Sequence, residues 1–228
     1  MTQTFTLETF EGHLIMLHEG LEILIDTGSP VTLSNLNQFE LMGKTHQCSN
    51  QMVGCTFDSI KELLGREIDI LLGMDVLRNY RLLVDCQVGH LVLSDESLTI
   101  DDATSVALHP SMMNTAVAIE AKVADRSVQL VVDTGAKISY ISKKLCEGME
   151  SVEEREDFHP YIGTFKTPIY RMTIDINQKQ LSTDFGNLPQ LYAMTLSMAN
   201  LDGVIGYDLF AANQVVLDFP SMVMLIGS

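Results

Sequence analysis

GLEILIDTGSPVTLS, residues 20–34, and SVQLVVDTGAKISYI, residues 127–141, are two versions of one segment. Aligned without a gap, they place Asp-Thr-Gly on Asp-Thr-Gly and Asp26 on Asp133. Leu21, Ile23, Leu24 and Ile25 fall on Val128, Leu130, Val131 and Val132, and Thr32 falls on Ser139. The apolar runs, rich in branched residues, read as buried strands. Each stops at a turn-forming trio, in which Asp caps local amides and Gly allows unusual backbone angles.

A second pair of blocks follows. DILLGMDVLRNYRLLVD, residues 69–85, aligns without a gap on DGVIGYDLFAANQVVLD, residues 202–218. Asp69, Gly73, Asp75 and Asp85 meet Asp202, Gly206, Asp208 and Asp218. Glycine makes up only about 7% of average composition, so two copies of Asp-Thr-Gly, each with the same second block downstream, are not coincidence. A duplication kept for structure alone explains the apolar positions and the glycines. It does not explain an acidic residue at the end of both strands.

Working outward, HLIMLHEGLEILI and AVAIEAKVADRSVQLVV read as hairpins turning at Glu19-Gly20 and at Ala124-Asp125-Arg126. ILLG and GVIG read as buried strands that end in glycine, and MDVLRNY and YDLFAAN as short helices. RLLVDCQVGHLVLS and QVVLDFPSMVMLIG read as further hairpins. The expectation is a mainly all-β chain in two barrel-like lobes, residues 1–100 and residues 101–228, joined around residues 94–113. The acidic stretch at residues 147–157 reads as a solvated loop or helix.

Composition excludes several function classes. The formal net charge of −16 opposes binding to nucleic acid or to an anionic membrane surface. No signal peptide or spanning run is visible at the sequence level, and the four cysteines fit no zinc spacing. A cytoplasmic location with free thiols is expected, with no metal and no cofactor. There is no G-x-S-x-G, H-E-x-x-H, P-loop or dinucleotide fingerprint.

Two apolar-Asp-Thr-Gly segments, each followed by apolar-apolar-Gly, resemble the aspartic protease clan of pepsins and retropepsins. The resemblance covers both halves and looks like a retropepsin dimer fused into one chain. It implies a bilobal fold of two pseudo-symmetric retropepsin-like β-barrels and an aspartic-type endopeptidase that acts on peptides or proteins. Asp26 and Asp133 would be the catalytic dyad. Thr27 and Thr134 would lock the two loops together, and Gly28 and Gly135 would bring backbone amides to the carboxylates. Gly73 and Gly206 would end the supporting strands. A monomer would complete such a site. A non-catalytic peptide-binding scaffold is the main alternative, and a hard-cation site at the paired carboxylates is a thinner one.

The halves also differ. Ser29 follows the first Gly and Ala136 the second. The resemblance implies that a Ser29 hydroxyl bonds Asp26, which would leave Asp26 the more readily charged carboxyl. Between its paired blocks the second half carries 26 more residues than the first. A substrate-covering flap is therefore expected on the second lobe, with Tyr161, Gly163 and Phe165 near its tip.

Overall fold

The computed structural model describes residues 1–227. Most of the chain lies in two sheets. The first has ten strands, in the order Thr104–Ala107, Val223–Ile226, Val215–Asp218, Arg81–Asp85, His90–Ser94, Thr2–Phe10, His13–His18, Leu21–Ile25, Ile70–Leu72 and Leu33–Ser34. The second has eight: His109–Ser111, Ala116–Val123, Arg126–Val132, Gly203–Ile205, Ser139–Ile141, Lys179–Gly186, Gly163–Ile176 and Glu153–His159. Helices are few and short, so the chain is all-β and bilobal.

The repeated segments build the same motif twice. Leu21–Ile25 runs parallel to Ile70–Leu72, which pairs antiparallel with Leu33–Ser34. Arg126–Val132 runs parallel to Gly203–Ile205, which pairs antiparallel with Ser139–Ile141. The repeated acids do repeated work. Asp69 accepts the Glu22 amide at 2.8 Å and Asp202 accepts the Gln129 amide at 2.9 Å, which pins the parallel pairs in register. Ile23, Ile25, Ile70, Leu72, Leu130, Val132 and Ile205 are at or near zero exposure in one continuous core.

Gly73 and Gly206 are glycine for a steric reason. A side chain at 73 would place Cβ 2.5 Å from the Val31 carbonyl carbon, and one at 206 would overlap the Ala136 carbonyl. Those carbonyls belong to the chain just past each Asp-Thr-Gly loop. The loop and the strand end are further tied by Met74 N–H to the Ser29 carbonyl (2.8 Å) and by Tyr207 N–H to the Ala136 carbonyl (2.9 Å). Gly73→Ala and Gly206→Ala should each destabilise the protein by about 2–4 kcal/mol, because backbone must shift to admit the methyl group. A thermal melt checks this, with a fall of roughly 5–15 °C expected.

The first sheet is not built from residues 1–100 alone. Arg81–Asp85 pairs with Val215–Asp218, and Thr104–Ala107 pairs with Val223–Ile226. The Arg81 guanidinium reinforces the seam through Asp218, at 3.0 Å.

Two helices lie outside the repeat. Phe57–Leu64 is capped reciprocally by Thr56 and Ser59, buries Phe57, Ile60 and Leu64, and stops at Gly65 with φ 69°. Gln190–Met198 follows Pro189, leaves Leu191, Met194 and Met198 exposed, and turns Leu196 inward. The acidic stretch is an exposed loop over residues 147–152, as its charge suggested, but not beyond. Glu153–His159 is a strand, paired with Gly163–Ile176 from Glu153 opposite Ile169 to His159 opposite Gly163. Strand alternation turns Asp157 inward, to 6% exposure, while Glu154 and Glu156 face solvent. Among the described residues no helix is long and apolar enough to cross a membrane.

Candidate active site

The two Asp-Thr-Gly loops meet where the lobes abut. Thr27 and Thr134 are both fully buried and form a closed set of four hydrogen bonds. Each backbone N–H donates to the other threonine's Oγ1 at 3.0 Å. Thr27 Oγ1 donates to the Val132 carbonyl and Thr134 Oγ1 to the Ile25 carbonyl, both at 2.8 Å. Each hydroxyl therefore serves as donor and acceptor at once, and four buried backbone groups at the strand ends are satisfied.

This contact sets the carboxyls face to face. Asp26 Oδ1 accepts the amides of Gly28 and Ser29, both at 2.9 Å, and Asp133 Oδ1 accepts the amide of Gly135 at 2.8 Å. Each carboxyl also packs on the opposite loop's glycine. A Cβ at Gly28 would lie 2.5 Å from Asp133 Cγ, and one at Gly135 would lie 2.5 Å from Asp26 Cγ. Only glycine leaves room for both carboxyls. Burial pushes both acids above the usual carboxylate range, and the charge of Asp133 adds to the rise at Asp26.

The hydroxyl bond expected between Ser29 and Asp26 is not made. The Ser29 hydroxyl donates to the Val31 carbonyl at 2.8 Å, so it is spent within its own loop. Asp26 is raised by burial and then by the charge of Asp133, and Asp133 is raised by burial against the lowering effect of the Gly135 amide. Ala136 contributes only backbone, its N–H lying 3.3 Å from the Asp133 carbonyl.

Both carboxyls open into a cavity of about 270 Å³ between the lobes. Its wall on the first lobe includes Leu24, Pro30, Ile60 and Leu71, and that on the second includes Tyr140, Leu188, Tyr192 and Val204. The hairpin of Glu153–His159 and Gly163–Ile176 forms its roof. Tyr161 and Phe165 line the cavity, whereas Gly163 does not; with φ 81° it only closes the turn. At the tip, the Ile162 N–H donates to the His159 carbonyl at 3.0 Å. The Tyr161 ring crosses to the first lobe and rests against Gly54, at 3.0 Å from where a Cβ would stand. On its other side the roof is held by His159, whose ring lies 4.3 Å from that of Tyr192, centroid to centroid. In the first lobe the matching region is a small hairpin, Gln51–Met52 with Cys55–Thr56.

Sequence reasoning did not reach His13, Lys137, Tyr140, Asp157, His159 or Tyr192, all of which line the cavity. Tyr140 Oη donates to Asp157, tying the roof to the strand that follows the second Asp-Thr-Gly loop. Position offered a clue for Lys137 and Tyr140, which stand four and seven residues after Asp133.

No protein-family model and no curated protein sequence matches the chain. Solved structures do. The aspartic proteinase from Irpex lacteus superposes with a TM-score of 0.58 at 8% identity, covering 100% of this chain and 97% of that one. Basic 7S globulin from soybean superposes at 0.54 and 9% identity, covering 99% and 94%. The simian foamy virus protease aligns over 39% of this chain and 86% of its own, with a TM-score of 0.30 and 12% identity. Over its whole length the chain has the fold of an aspartic proteinase.

Proposed function

We propose that the protein is an aspartic-type endopeptidase. One observation carries this reading: two half-buried carboxyls from duplicated loops face each other in a cavity between the lobes, both raised above the usual carboxylate range. A water held between them would lose a proton to the ionised carboxyl of the pair as it attacks the scissile carbonyl. The protonated carboxyl would donate to the carbonyl oxygen. The product is a tetrahedral intermediate, with no covalent bond to the enzyme. The apolar walls suit side chains on either side of the scissile bond, and the roof strands can pair with an extended backbone. The hairpin must lift to admit a chain, so release of Tyr161 from Gly54 belongs to the cycle.

The test is cleavage of a diverse peptide mixture between pH 3 and 7, read by mass spectrometry. The active form carries one proton on the pair. Both acids are raised, so the alkaline limb of kcat/KM should lie well above the ordinary carboxylate value of about 4. Absence of cleavage at every pH would overturn the reading.

The closed roof favours a second reading, a module that clasps a peptide without cutting it. Peptide binding without turnover would select it.

A further inference from the structure

We propose that the corner of the cavity between His13 and Lys137 is a subsite for a carboxylate side chain, Asp or Glu, of the bound peptide, and that Lys137 sets this preference. The proposal rests on the peptidase reading and adds a substrate class to it.

The corner is made by both lobes. His13 begins the second strand of the first lobe, and Lys137 lies just past the second Asp-Thr-Gly loop. They are held together by Gly12, whose Cβ would fall 2.9 Å from that of Lys137 and whose φ is 85°. The first lobe has Pro30 where the second has Lys137, so the corner has no counterpart across the pseudo-twofold. It sits on one side of the dyad only and addresses one position of a peptide.

Its polar groups are only partly satisfied. Lys137 is 19% exposed, and its ammonium makes no hydrogen bond among the described residues. The acid within ion-pair reach is Asp157, at 3.8 Å. That carboxylate already accepts the Tyr140 hydroxyl and the Phe158 amide, the latter at 2.8 Å. His13 is 4% exposed, and its buried Nδ1 has no hydrogen-bond partner among the described residues. The ring packs beside Phe158, 5.8 Å between centroids. Buried groups of this kind are normally paired, and a pair left open inside a cavity marks where a ligand binds.

The chemistry of the missing partner follows from what faces it. An apolar side chain would bury the ammonium and the imidazole without compensation, and a cationic one would meet Lys137. A carboxamide offers an acceptor but no charge. A carboxylate offers two acceptor oxygens and the opposite charge, and bonds to charged donors are the stronger kind. His13 is held down to about 4 by burial and then by Lys137. A carboxylate in the corner would offset the lysine's effect and let the imidazole present a proton.

The experiment uses peptide pairs differing only by Glu or Gln, with the acid placed in turn at each position around the scissile bond. Wild type should cleave the Glu member at least about tenfold faster in kcat/KM at one position, with the difference in KM. Lys137→Met should bring that ratio near one, and Lys137→Arg should keep it. If Lys137→Met does not fold, Lys137→Gln is read the same way. Equal kcat/KM for Glu and Gln at every position, or a preference that survives loss of the lysine charge, overturns the proposal. If no peptide is cleaved, the peptidase reading fails separately. The subsite is then judged by fluorescence anisotropy of the same pairs on the Asp26→Asn protein. Tighter binding of one Glu peptide by about tenfold supports it, and equal binding of every pair overturns it.

Discussion

Asp26→Asn and Asp133→Asn should each reduce peptide cleavage by about a thousandfold or more, while leaving the fold intact and firmer at neutral pH. The loss follows from the division of labour. One carboxyl must take a proton from water while the other gives one to the carbonyl oxygen, and an amide does neither. The two residues act as a unit, so the double variant should be little worse than either single one. The gain in stability comes from the same burial that tunes the pair. Both acids are raised in the folded protein. Between the unfolded value of about 4 and their folded values, the native state holds more protons than the unfolded chain. Stability therefore falls as pH rises through that window. An asparagine removes one acid's share of the dependence, so its melting temperature should match wild type near pH 3 and exceed it by a few degrees at pH 7. A dyad variant that cuts at the wild-type rate would remove the aspartates from the mechanism.

The second large effect lies beneath the dyad. Thr27→Val and Thr134→Val keep the shape of the side chain and delete its hydroxyl. Each breaks two of the four bonds in the threonine set and leaves a backbone N–H and a carbonyl unpaired in a fully buried place. At about 1–3 kcal/mol per orphaned group, each change should cost about 2–5 kcal/mol, seen as a lower midpoint in urea unfolding. Thr→Ser at either site retains all four bonds and should cost under about 1 kcal/mol. Activity should fall further than stability requires in the valine variants, because the threonines fix the distance between the carboxyls. A valine variant as stable and as active as the serine variant would refute this role.

Much of this was legible in the sequence because it is written twice. A repeat exposes positions where both copies need the same atom. Gly73 and Gly206 make room for a carbonyl, Asp69 and Asp202 pin a parallel strand, and Thr27 and Thr134 each complete the other's bonds. What occurs once was harder to read. Asp157 stands in a run of charge, and only pairing with Gly163–Ile176 decides which side of its strand faces inward. Helix Gln190–Met198 exposes Leu191, Met194 and Met198, so its apolar pattern does not mark a buried face. The Ser29 hydroxyl bonds the Val31 carbonyl, a choice made by loop geometry rather than by the motif. The roof hairpin was placed in the second lobe by counting residues, but its contacts with Gly54 and Tyr192 depend on how the lobes close.

The seam between Arg81–Asp85 and Val215–Asp218 also bears on biosynthesis. While the ribosome is still working through the second lobe, the first sheet has an open edge at Arg81–Asp85. Every backbone donor and acceptor on that side waits for residues more than a hundred positions downstream. The nascent first lobe is thus a sheet with a free flank, the kind of surface that recruits stray strands from other chains. The strand that ends this exposure emerges only after most of the second lobe, so completion of the first lobe is coupled to that of the second. The Asp26 loop, built early, reaches its working geometry only when the later half arrives to supply Thr134.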